Sequence, residues 1–165
     1  MTKNKQPVEK AHLQEVIIPK EKAVFWMDAQ GRWCNRHGRF EHKRIIDHFN
    51  RSIEKDENGY YVTQVRGSIR EKVYFSYVVT PLFAVRMLKK KPIQLVLNTG
   101  ETTALDPCEL YVESDHLYQK VENGCIKFTD RALVALAPYL EEEEGVGLRI
   151  RIGETHWYIP YRTAQ

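Results

Sequence analysis

The chain has 165 residues, of which 42% are hydrophobic and 28% charged, and its formal net charge is +3. These values fit one ordinary folded domain, or two small halves sharing a core, and exclude both a disordered chain and a strongly basic nucleic-acid-coating protein. No apolar run approaches the ~18 residues needed to span a bilayer, and the opening MTKNKQPVEKAHLQE lacks the apolar centre of a signal peptide, so a cytoplasmic location is expected.

Residues 1–22 are polar and lysine-rich, broken by Pro7 and Pro19. They read as a flexible leader in which only Val16-Ile17-Ile18 is β-prone and able to dock. An N-terminal β-α-β half is expected over 23–90. It opens with a strand over Ala23–Asp28, a turn at Ala29–Arg32 with Gly31 free to take a positive φ, and a returning strand from Trp33. From Glu41 the period changes: Ile45, Ile46, Phe49 and Ile53 make one helical stripe, with an Asp47–Arg51 pair on the outside. Asp56-Glu57-Asn58-Gly59 is expected to stop that helix. Strands follow over Tyr60–Arg66 and Ile69–Val79, then a break at Thr80-Pro81 and a strand over Leu82–Leu88.

The basic run Lys89-Lys90-Lys91 with Pro92 marks a seam before a β-rich C-terminal half over 91–165. There Ile93–Asn98 alternates as a half-buried strand, Glu109–Val112 is short and β-prone, and Asn123-Gly124 signals a hairpin into Cys125–Phe128. Thr129 or Asp130 caps a second, buried helix carrying Leu133, Leu136, Ala137 and Leu140, which Pro138 kinks or ends. Glu141–Glu144 then fall at the helix C-terminus, where acidic charge opposes the macrodipole and predicts a frayed, exposed end. A last hairpin joins Gly147–Ile152 to Thr155–Tyr161. Short strands linked by tight turns, with two separate helices, predict an α+β fold: mostly antiparallel strands in a roll-like or curved sheet.

No catalytic constellation is present. His42 and His48 lie about 240° apart around their helix and cannot share a metal; no metal site and no cofactor are expected. Cys34, Cys108 and Cys125 are odd in number and far apart, which reads as three reduced thiols. Cys34 and His37 are the one local thiol–imidazole pair, and an extended chain puts them on opposite faces. The glycines form neither a P-loop nor a dinucleotide fingerprint. What remains is basic and aromatic. Arg149 and Arg151 share a strand face near His156 and Trp157, and Lys89, Lys90 and Lys91 cluster on a connection. Arginine with aromatics on a curved sheet can hold an anionic ligand or a nucleic-acid backbone; solvated strand faces and an edge-protecting charge run account for the same residues.

The order of several turns and aromatics is similar to the bacterial DUF1285 family, a domain of unknown function. The residues that carry the likeness are Asp28, Gly31, Arg32 and Trp33, then Gly38 and Phe49, then Asp56, Gly59, Tyr60 and Tyr61, then Thr80, Pro81 and Phe83, with Asn98-Thr99-Gly100 and the closing hairpin in the second half. It spans about residues 24–160. The family's acidic residues just before its Pro-Phe are replaced here by Val78-Val79-Thr80. The resemblance implies a two-part α+β roll of bacterial origin and no assigned activity. The residues then point to a non-enzymatic domain that binds a small ligand or a protein through Arg149, Arg151, His156, Trp157 and Lys89–Lys91. Alternatives are weak nucleic-acid or anion binding, and an enzyme with an unrecognised site. An exposed strand edge makes a homodimer another expectation.

Overall fold

The computed structural model of the chain describes residues 13–164; the expected leader lies partly outside that range. The Val16–Ile18 island falls in β1 (Gln14–Ile18), which pairs parallel to β7 (Ile69–Tyr74). With β5 (Ile53–Asp56) and β6 (Gly59–Arg66) these form a four-stranded sheet in the order β1-β7-β6-β5. Its register aligns Ile18, Val73, Val62 and Ile53 in one row, so period-2 alternation sends that row into a core.

A small sheet of β2 (Phe25–Met27), β3 (Trp33–Asn35) and β4 (Gly38–Arg39) faces it, with α1 (Lys43–Arg51) closing the side. The N-terminal core between them is aromatic. Trp33 lies 5.8 Å from Phe25, 5.2 Å from Phe49 and 4.8 Å from Phe75, ring centre to ring centre. Edge-to-face and tilted pairs of this kind add about 0.5–1.5 kcal/mol each beyond the area they bury. The indole N–H of Trp33, fully buried, donates to Asn50 Oδ1 at 2.8 Å from the helix above it.

The C-terminal part of the fold, joined by one strand from before residue 91, is a seven-stranded, strongly curled sheet. It runs from β10 (Thr102–Ala104) through β9 (Gln94–Leu97), β8 (Phe83–Leu88), β13 (Gly124–Phe128), β12 (His116–Val121) and β11 (Leu110–Glu113) to β17 (Tyr161–Arg162). All neighbours are antiparallel except β8–β13 and β11–β17. Leu95, Leu97, Leu110, Leu117, Ile126 and Phe128 form its core with Ala132 and Leu136 of α2 (Asp130–Leu136). A three-stranded sheet of β14 (Leu140–Glu143), β15 (Gly147–Ile152) and β16 (Thr155–Tyr158) covers that core through Ile150. The class is α+β with mostly antiparallel strands, and no helix among the described residues is long and apolar enough to cross a membrane.

Several local expectations are corrected. Ile53 is not the last turn of α1 but the first residue of β5, because the helix ends at Ser52, whose hydroxyl and N–H both turn back to His48 O. Asp56–Gly59 is therefore the β5–β6 hairpin turn and not a helix stop. Asp47 pairs with Lys43, 2.7 Å away on the preceding turn, and not with Arg51. Glu141–Glu143 do not fray: α2 ends before Pro138 in a tight 3-10 turn, and the glutamates continue as β14 against β15. The carboxylates of Glu141 and Glu143 find Arg149 and Arg151 on the neighbouring strand, and the strand conformation removes the dipole penalty the helical reading assigned the run. The expected long strand over Ile69–Val79 also stops early, at Tyr74, leaving Ser76 in a single parallel bridge to Trp26.

Candidate functional site

On β13, Ile126 and Phe128 enter the C-terminal core, so Cys125 and Lys127 point the other way, toward the N-terminal half. Lys127 is 8% exposed, the one buried lysine among the described residues. Its ammonium donates to Ala29 O at 2.9 Å, across a sequence gap of 98 residues. The Phe83 ring stands 6.0 Å from the nitrogen. No carboxylate reaches ion-pair distance of Lys127 among the described residues. Burial holds its pKa below the ordinary lysine value, against the pull of Asp130 and Asp28, which favour the cation.

The acceptor is placed by the turn predicted at Ala29–Arg32. Asp28 Oδ1 accepts from the N–H groups of Gln30 and Arg32 at 3.0 and 2.9 Å, and its Oδ2 takes Arg32 Nε at 2.8 Å. Burial pushes the Asp28 carboxyl up, but these hydrogen bonds outweigh it and leave its pKa lowered. Gly31 takes φ +78 and lies directly on Phe83: a Cβ there would meet two ring carbons at 2.9 Å. Glycine thus lets the turn settle on the C-terminal sheet and bring Ala29 O to Lys127.

Beside this contact is a cavity of about 350 Å3 at the junction of the halves. Ala29, Gln30 and Phe83 form one wall; His116, Lys127 and the start of α2 (Thr129, Asp130, Arg131) form the rest. Thr129 fixes that helix start, donating its hydroxyl to Ala84 O and accepting from Ala132 N–H. The cavity combines apolar rings with an ammonium, a guanidinium, an imidazole and one carboxylate. Two of the three N–H groups of Lys127 have no protein acceptor among the described residues.

Deeper in the same junction is a seam of phenols around Cys125. Tyr111 stacks on Tyr118 at 5.4 Å and 15°, with the Arg162 guanidinium 3.8 Å above it. Burial raises the pKa of Tyr60, Tyr77, Tyr111, Tyr118 and Cys125 alike. The thiol is therefore protonated at neutral pH and is no nucleophile there. Thr80 donates its hydroxyl to Cys125 O at 2.7 Å and accepts from Leu82 N–H. Val79 before it has φ +61, with Thr80 N–H bonded to Val78 O across it. That γ-turn costs a β-branched residue about 1–3 kcal/mol, which the Thr80 clamp offsets.

The residues singled out from the sequence lie away from this junction: Arg149, Arg151 and His156 meet around Glu141, while Trp157 and the three lysines lie apart from them. Arg149 bridges Glu141 and Glu143 at 2.9 and 2.7 Å, Arg151 meets Glu141 at 3.1 Å, and His156 Nδ1 stands 4.0 Å from Glu141. Trp157 pairs with Ile150 on the opposite face of that sheet and packs on the C-terminal core. Lys89, Lys90 and Lys91 sit exposed on the β8–β9 connection. Cys34 is buried with Sγ 3.6 Å from Arg32 O, while His37 is exposed. Sequence reasoning misses Lys127 because Gly-Cys-Ile-Lys-Phe reads as a strand with one wet face; nothing local says that the second face is covered.

No protein-family model matches the sequence, and no curated protein matches it. The fold is similar to that of two solved structures. One is a DUF1285 family protein from Silicibacter pomeroyi DSS-3, at TM-score 0.59 and 14% identity over 93% of this chain and 87% of that one. The other is a DUF1285 family protein from Shewanella baltica OS155, at TM-score 0.51 and 15% identity over 72% of this chain and 94% of that one. The chain has the DUF1285-type fold that its turn and aromatic motifs resemble.

Proposed function

We propose that this protein is a non-enzymatic binding domain for a small anionic ligand, held at the junction cavity by Lys127. The observation that carries the reading is a lysine 8% exposed whose ammonium meets a single protein acceptor among the described residues, beside a cavity of about 350 Å3. Burying an ammonium without a counter-charge is costly, and a cavity of this size is in the usual range for small ligands, about 300–1,000 Å3. A carboxylate or phosphate oxygen placed there would accept the two spare N–H groups and restore the charge balance, with Arg131 and His116 as further donors. The phenols and thiol of the adjoining seam stay protonated, so they supply packing and hydrogen bonds rather than a nucleophile.

The test is a thermal-shift panel of small carboxylates and phosphates on the wild type and on Lys127→Met. A stabilising ligand at 100-fold its Kd raises stability by about 2.7 kcal/mol. Stabilisation by at least one anion, lost in Lys127→Met, is expected. An empty panel, or shifts that survive the substitution, overturns the reading.

A further inference from the structure

A second surface is independent of Lys127. On β2, Phe25 and Met27 are buried, which leaves Trp26 facing outward at 42% exposure, with Val24 beside it at 77%. Around the tip of the β3–β4 hairpin run two clefts of about 550 and 410 Å3. The first is walled by Trp26 and Arg36, the second by Arg39, His42 and Ile45 of α1; Asn35 and His37 line both, so they form one groove. Asn35 Oδ1 accepts from His37 N–H at 2.9 Å, and Arg36 Nε donates to His37 Nε2 at 3.1 Å, which fixes the imidazole between the clefts.

The groove also lies in a basic stretch of the sequence. From Arg32 to Arg44 there are five cations (Arg32, Arg36, Arg39, Lys43, Arg44) against Glu41 alone, a local +4 compared with +3 for the whole chain. Arg32 and Lys43 are spent on Asp28 and Asp47. Arg36, Arg39 and Arg44 have no ion pair among the described residues.

We propose that this groove binds single-stranded nucleic acid, with Trp26 and His37 stacking on bases and Arg36 and Arg39 taking phosphates. Exposed flat rings interleaved with guanidiniums are the two elements sequence-tolerant single-strand binding requires, and arginine grips phosphate through two parallel donors. A duplex would present no free base face to Trp26. A lipid surface would favour lysines around a protruding apolar tip, whereas this groove is concave and its free cations are arginines.

The experiment titrates the full chain with a labelled single-stranded RNA of about twelve nucleotides, by anisotropy and by tryptophan emission. Two to three phosphate contacts predict a log–log salt slope of roughly −1.5 to −2. Bound bases should quench tryptophan. Trp26→Leu should abolish the quench although Trp33 and Trp157 remain, and weaken binding at least about fivefold. Arg36→Gln with Arg39→Gln should flatten the slope by about 1–1.5. Melting temperatures of these surface variants should match the wild type, which separates lost binding from lost folding. The proposal is overturned if no binding occurs at low salt, if Trp26→Leu binds like the wild type, or if phosphatidylserine vesicles or duplex RNA bind as tightly as the single strand.

Discussion

Substituting Gly31 by alanine tests how the two halves are joined. Two costs add at this position. A residue with a Cβ in the left-handed region loses about 1–2 kcal/mol relative to glycine, and Gly31 has φ +78. The new Cβ would also lie 2.9 Å from Cδ2 and Cε2 of Phe83, a ring only 2% exposed and held between the turn and Lys127. Overpacking of that kind costs about 1–3 kcal/mol. Gly31→Ala should therefore destabilise by about 2–5 kcal/mol, which for a chain of this length is a fall in Tm of roughly 4–20 °C. The reference is Gly67→Ala: Gly67 has φ +60, but no atom lies within 4 Å of where an alanine methyl would sit, so it carries the conformational cost alone. Urea unfolding of both variants separates the contributions. If Gly31→Ala costs no more than Gly67→Ala, the Phe83 contact does not constrain the turn and does not set how Ala29 O reaches Lys127.

Asn50→Leu leaves the buried Trp33 indole N–H without its acceptor and should cost about 1–3 kcal/mol in chemical denaturation; a neutral effect would mean the indole finds another partner. Asp56 accepts from Lys72 and from Tyr74, and these bonds, led by that of Lys72, hold its pKa at about 2 against burial. Because the folded-state pKa is depressed, its contribution is fully present above the ordinary value of 3.8 and is lost as pH falls through about 2. Melts of wild type and Asp56→Asn should therefore differ at pH 5 and converge toward pH 2; a gap that stays constant over that range would contradict the assignment.

Much of the N-terminal half can be read from local chemistry because its signals are local. Asp28 and Gly31 specify a turn, and Phe25, Trp33 and Phe49 are large apolar groups able to close a core beside it. Ile53 shows the limit of periodicity. It fits the helical stripe of Ile46 and Phe49, yet it starts a strand, since a row shared with Val62 and Val73 buries it better than another helical turn. The glutamate run departs from expectation for a related reason: a helical reading weighs the dipole of α2 but not the arginines a strand brings alongside. The candidate site is the least legible part. Lys127 acquires its character from Ala29, 98 residues away, and from a sheet face whose cover is supplied by the other half. Arg36, His37 and Trp26 are visible as residues, but whether a strand side chain faces a core or a groove depends on which face the neighbouring sheet occupies.

Strand β8 carries one more consequence. Phe83 is buried in the N-terminal core while Ala84, the next residue, is buried in the C-terminal core. Any slip of β8 by a single residue would exchange the two and damage both cores together. Each half thus lacks a wall unless the other is formed, so the native state gains cooperativity from one strand's alternation. Loss of either core should propagate to the other instead of leaving a half-folded intermediate with its apolar face open to aggregation.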